Sequence, residues 1–213
     1  TEAGRQIAAQ AGLVMKKLVL ALGGSDPFIV LADADVEQAV ATAVKARFSN
    51  TGQSCISSKR LIVEAAVADR FVALLCEGVT RLKIGDPLAR DTNIGPQARR
   101  NLRDDLHAQV ERSITSGAKL LLGGHPLEGA GYFYAPTVLD HVTPRMAAGC
   151  EETFGPVAAV IRVANAEEAL QIANDTVFGL GAALWTGDLA RARTLARRIE
   201  AGAVFINGLV ASD

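Results

Sequence analysis

The 213-residue sequence has few cysteines, almost no net charge and no long apolar run. Its longest uncharged stretches, residues 176–187 and 201–212, fall short of the roughly 18 apolar residues a membrane helix needs. Lys and Arg number 22 against 23 Asp and Glu, a net charge of −1. No excess of positive charge is there to hold nucleic acid or an anionic membrane. Three cysteines do not make a disulfide framework, and an odd count suits a reducing compartment. His107, His125 and His141 share no ligand spacing with the cysteines, which speaks against a zinc site and leaves no metal expected. Gly123-Gly124 and Gly129-Gly131 read as loop glycines, because they follow no strand–Gly-x-Gly-x-x-Gly–helix plan.

What remains is a globular composition, 49% hydrophobic and 21% charged, which excludes a disordered, collagenous or coiled-coil chain. The length allows one large domain or two small ones. Strand-like runs alternate with helical periods. Residues 18–22, 28–31, 60–63, 119–122, 157–163, 180–184 and 203–206 read as strands. Asp35 caps a helix, with Gln38 as its capping-box partner and Val36, Val40, Ala43, Val44 and Phe48 as its apolar stripe. Further helices are marked by Val67, Phe71, Leu74, Leu75 and Leu82, by Leu102, Leu106, Val110 and Ile114, by residues 166–173, and by Leu189, Leu195 and Ile199. A short helix runs from Thr1 or Glu2 to Ala11, where Gly12 would end it. This order predicts an α/β fold with a mostly parallel sheet covered by helices on both faces. The chain starts without Met, inside a helical pattern, and stops just after a strand-like run. It therefore reads as a piece of a longer chain.

The chemistry-bearing string is Asn50-Thr51-Gly52-Gln53-Ser54-Cys55, followed by Lys59 and Arg60. Gly52 permits a tight turn between helix and strand, a place where nucleophiles are presented. The two cations favour a thiolate. A buried structural cysteine fits the same spacing. Cys76 and Cys150 read as core and structural residues, and Arg191, Arg193, Arg197 and Arg198 as a solvated helix face.

Four segments carry a resemblance that spans the chain in order. Residues 50–60 resemble the Gly-Gln-x-Cys nucleophile segment of the aldehyde dehydrogenase superfamily. Leu20-Ala21-Leu22-Gly23-Gly24 resembles that family's Leu-Glu-Leu-Gly-Gly signature. Glu151-Glu152-Thr153-Phe154-Gly155-Pro156 resembles its Glu-x-Phe-Gly-Pro segment, and Thr1-Glu2-Ala3-Gly4-Arg5 the helix after its cofactor-phosphate loop. Residues 24–31 and 50–55 look most like the succinate-semialdehyde branch.

The resemblance implies a cytoplasmic, homo-oligomeric parent enzyme, a dimer or tetramer, that oxidises an aldehyde with NAD or NADP. Residues 1–23 would be the remnant of its cofactor-binding domain and residues 24–213 its thiol-bearing catalytic domain. Cys55 would add to the aldehyde as a thiohemiacetal, lose hydride to the nicotinamide, and be freed by hydrolysis of the thioester. The Cys55 backbone N–H would help to hold the oxyanion. The family Glu that activates the hydrolytic water is replaced here by Ala21. A methyl group accepts no proton, so deacylation should be slow or absent. Glu152 would hold the nicotinamide ribose, and Phe154, Leu22 and Gly23 would lie beside the nicotinamide. Asn207 would stand near the active site, with Ser49 and Ser212 toward the distal end of the substrate. Ser57 stands where some relatives carry a second, redox-active Cys. Two rival readings fit the same sequence: a catalytically silent domain of the same fold, and a cofactor-free thiol hydrolase pairing Cys55 with a His.

Overall fold

The computed structural model describes residues 1–211. Its strands are β1 (Pro27–Val30), β2 (Arg60–Glu64), β3 (Lys119–Leu122), β4 (Thr137–Asp140), β5 (Val157–Val163), β6 (Gly181–Trp185) and β7 (Ala203–Ile206). They form one sheet in the order β3-β4-β5-β2-β1-β6-β7. Every neighbouring pair is parallel except β3 against β4.

The helices are α1 (Glu2–Leu13), α2 (Val36–Phe48), α3 (Ala65–Thr80), α4 (Arg100–Thr115), α5 (Ala147–Cys150), α6 (Ala166–Asn174) and α7 (Leu189–Ala196). Their starts follow the capping chemistry. The Asp35 side chain accepts from Gln38 N, Asn165 from Glu168 N, and Asp188 from both Ala190 N and Arg191 N. Alternate residues of each central strand serve opposite faces. Phe28, Val30, Leu61 and Val63 pack with α2 and α3, whereas Ile29, Leu31, Ile62 and Ile161 pack with α4, α6 and α7. Both faces are thus buried, as the sequence pattern predicts.

Three sequence expectations need correction. Residues 18–22 are not a strand: they have no ladder partner among the described residues, and Val19 is fully exposed. An apolar run without a neighbour to pair its N–H and C=O groups gains nothing from being extended. The short β4 and α5 carry too few periodic residues to stand out, and both escape the pattern reading. α1 runs past Gly12 to Leu13.

The chain order has one consequence for function. The segments ending at Asp26, Lys59, Pro156 and Leu180 each lead directly into a parallel central strand: β1, β2, β5 and β6. All four therefore meet at the amino-terminal edge of the sheet.

Candidate active site

Cys55 lies on the connection between α2 and β2 and is half-buried. Its approach is strained. Asn50, Thr51 and Gly52 have φ of 51°, 58° and 69°, a left-handed run that a β-branched residue adopts only under constraint. The constraints are visible. The Asn50 side-chain amide donates to Gln53 O at 2.9 Å. Thr51 Oγ1 accepts from Gly95 N at 2.9 Å. Gln53 spans the same loop, donating to Pro96 O at 3.2 Å and accepting from Ala98 N at 2.9 Å.

Beneath the turn, Arg47 is fully buried. Its guanidinium donates to Val157 O at 2.5 Å, Thr153 O at 2.7 Å, Gly52 O at 3.4 Å, and also to Gly155 O. A single planar fork thus holds the Cys55 turn and the segment Glu151–Pro156 together. Burial pushes its pKa down to about 9, opposed by the nearby Glu152 charge. Arg47 belongs to none of the sequence motifs; only its periodic place on the buried side of α2, next to Ala43 and Phe48, signals it.

Lys59 and Arg60 part company. Arg60 turns away from the thiol and donates to Ser25 O, Ile172 O and Ala173 O, fixing the last turn of α6. Lys59 turns under Cys55. Its ammonium donates to Ser54 O at 2.9 Å, Cys55 O at 3.0 Å and Ser57 O at 3.1 Å. It also lies 3.8 Å from the Glu152 carboxylate. Burial, helped by the Arg47 charge, pushes its pKa down to about 8, against the pull of Glu152, Asp26 and Cys55. Arg60 is thus drawn away from the thiol, and Lys59 holds the backbone of the Cys55 turn.

Glu152 faces the same place from the other side. Its carboxylate accepts from Gly24 N at 3.0 Å, and any Cβ on Gly23 would collide with it. A Cβ on Gly24 would stand 2.5 Å from Cys55 O. The glycine pair thus serves close approach as well as chain turning. The Glu152 side chain keeps about a quarter of its exposure and so has lone pairs to offer a hydroxyl donor. Phe154, two residues on, is exposed. The backbone N–H of Cys55 makes no hydrogen bond among the described residues.

Other site residues are placed as follows. Ala21 is exposed, and Leu22 packs against Gly4 of α1. Ser49 is exposed at the end of α2. Asn207 ends β7 with φ 51°, and both ends of its side-chain amide bind the Thr186 backbone. Ser212 lies outside the described residues. Cys76 is half-buried against the α2–α3 core, whereas Cys150 is exposed rather than structural. Among the described residues no group of His, Cys, Asp and Glu is arranged to hold a metal ion. No helix there is long and apolar enough to cross a membrane.

The model of the aldehyde dehydrogenase family matches residues 1–213. The chain belongs to the aldehyde dehydrogenase family. It is 54% identical over 211 residues to the succinate semialdehyde dehydrogenase [NAD(P)+] Sad of Escherichia coli, covering 99% of this chain and 46% of that one. It is 50% identical over 210 residues to the succinate-semialdehyde dehydrogenase [NADP(+)] of Mycobacterium avium, covering 99% and 44%. The solved succinate-semialdehyde dehydrogenase of Burkholderia pseudomallei superposes with a TM-score of 0.96 at 37% identity, over 100% of this chain and 44% of that one. This aldehyde dehydrogenase chain thus spans about half the length of the relatives it matches.

Proposed function

We propose that this chain supplies the thiol-bearing half of an NAD(P)-dependent enzyme that oxidises succinic semialdehyde to the acid, with Cys55 as nucleophile. The observation that carries this reading is the presentation of Cys55. Its turn is strained and tied on every side, and Lys59 sits beneath it. Proteins retain such strain where a reacting group must be held in one place.

The geometry supports the following steps for this chain's own residues. The Cys55 thiolate adds to the aldehyde carbon, forming a C–S bond while the carbonyl electrons move to oxygen. The unused Cys55 N–H donates to that oxygen. Glu152 would accept hydroxyl donors of a bound cofactor's ribose, and Phe154, Leu22 and Gly23 would lie beside its nicotinamide. A bound nicotinamide dinucleotide supplies the hydride acceptor. Release of the acyl group from Cys55 requires a water that loses a proton, and Ala21 takes none. Glu151 is engaged by Arg112 at 2.8 Å, and Glu77 pairs with Arg81 on the outer surface of α3. Neither replaces the missing base. Relatives that use NAD(P)+ and NADP(+) leave both cofactors in play, and the cytoplasmic, oligomeric parent remains part of this reading.

The thiol-hydrolase alternative has little support. His107 bonds Tyr134, His125 bonds Gly123 O, and His141 pairs with Asp140. A silent domain of the same fold is the better alternative, resting on Ala21.

The test mixes a stoichiometric amount of the complete enzyme that contains this chain with succinic semialdehyde and NAD+ or NADP+ and follows reduced cofactor by absorbance. At most one equivalent should appear, then nothing, and Cys55→Ser should abolish it. A flat trace favours the silent domain. Sustained turnover overturns the account of Ala21.

A further inference from the structure

We infer that Lys59 is the positioning residue of this site, its buried ammonium coupling the turn that presents Cys55 to the Glu152 carboxylate. The inference rests on the reading of Cys55 as nucleophile and Glu152 as a cofactor-facing group.

The geometry is specific. No hydrogen bond among the described residues joins the turn directly to the Glu152 carboxylate. Lys59 has both as neighbours. Its ammonium has three hydrogens, and three carbonyls of the turn lie within 3.1 Å of it. The carboxylate, at 3.8 Å, is its charged neighbour. The side chain is fully buried, so water cannot substitute for either partner, and losing one changes the hold on the other. Gly24 completes the circuit: its N–H donates to Glu152, and its Cα packs against Cys55 O. A hydroxyl donor captured by Glu152 would therefore compete with Lys59 and Gly24 for one carboxylate, and the effect would be felt at Cys55. Lys59 itself is not placed against the reacting atoms; it acts through the backbone of the turn.

The test is amide hydrogen exchange of the free protein, resolved for residues 53–58 and for Gly24, in wild type, Lys59→Met, Lys59→Arg, Glu152→Gln and the Lys59→Met/Glu152→Gln double variant. A tie worth one hydrogen bond changes a local opening equilibrium by roughly three- to tenfold. Glu152→Gln should therefore speed exchange by that factor at Gln53 and Ser57, the bonded amides of residues 53–58, although it alters no group in the turn. Lys59→Met should speed exchange both there and at Gly24. The double variant should exchange in the turn no faster than Lys59→Met alone. Lys59→Arg, which keeps the charge, should recover part of the protection.

Unchanged exchange in residues 53–58 of Glu152→Gln overturns the coupling, as does strict additivity in the double variant. If Lys59→Met fails to fold, Glu152→Gln alone still decides. No aldehyde or cofactor is present, so the outcome is separable from the proposed activity. A flat aldehyde assay with a loosened turn removes the activity and keeps the coupling. A burst with an unresponsive turn does the reverse.

Discussion

Gly52 and Gly155 touch so closely that a Cβ on Gly52 would collide with the carbonyl of Gly155. This contact brings the Gly-Gln-x-Cys turn against the Glu-x-Phe-Gly-Pro segment, and Arg47 seals it by donating to Gly52 O and Gly155 O from below. The two motifs are far apart in the chain and form one structural unit.

Arg47→Met should cost about 3 kcal/mol or more in stability, because several buried carbonyls lose their donor at once. Arg47→Lys should recover less than half, since a point-like ammonium cannot reproduce the planar fork. Urea unfolding of the three proteins measures both. Equal stability of wild type and Arg47→Met would show that water replaces the guanidinium.

Ala21→Glu should convert a single turnover into sustained turnover, raising the deacylation step by about 10² to 10⁴ if a positioned base is what the chain lacks. Ala21→Gln, similar in shape without a basic carboxylate, should not. Ala21 is exposed, so the larger side chain meets no core. Equal rates for the Glu and Gln variants would dissociate Ala21 from deacylation.

Asp26 gives a signed pH prediction. It is buried, with Oδ1 accepting from Gly181 N at 3.2 Å and Oδ2 without a partner among the described residues. Burial pushes its carboxyl up to about 6, opposed by the Gly181 N–H, Lys59 and Arg60. The folded state therefore binds this proton more tightly than the unfolded chain. The Asp26 contribution to stability grows as pH falls from about 6 toward 4 and is smallest at neutral pH. Asp26→Asn should remove that dependence and raise stability at pH 7 by about 1 kcal/mol or more. The measurement is the difference between wild-type and variant unfolding free energies across this range. A difference that does not change with pH would refute the assignment.

Arg162 joins β5 to its surroundings. It donates to Asp140 at 3.1 and 2.8 Å and to Asp69 of α3 at 2.6 Å. Asp140 is nearly buried, and the Arg162 side chain with the His141 N–H holds its carboxyl below the usual range despite the opposing burial. This pair stabilises the fold above the ordinary carboxylate range, and its contribution fades as pH falls through the lower folded value. Arg162→Met should cost about 2–4 kcal/mol by leaving the buried Asp140 carboxylate with His141 as its remaining partner, and adding Asp140→Asn should restore part of it. Thermal unfolding of the single and double variants checks this. A double variant as unstable as the single would exclude charge burial as the cause.

Much of this protein was legible without coordinates. The alternation of strand and helix periods gave the mostly parallel, doubly covered sheet, because burial on both faces leaves continuous apolar runs such as residues 157–163. Capping residues such as Asp35 are local chemistry and were equally visible. Cys55, Gly52 and Glu152 stood out as motif residues. The exposed residues 18–22 misled, because an apolar run says nothing about whether a pairing neighbour exists.

Sequence alone determined the motif residues and most of the elements that carry them, since motifs, helix period, strand alternation and caps depend on near neighbours. Tertiary structure alone decided their roles relative to one another. Strand order puts the segments before β1, β2 and β5 at one sheet edge, and only there do Lys59 and Glu152 become neighbours while Arg60 is drawn off to α6. Such pairings depend on buried distances between residues far apart in the chain, and no local pattern encodes them.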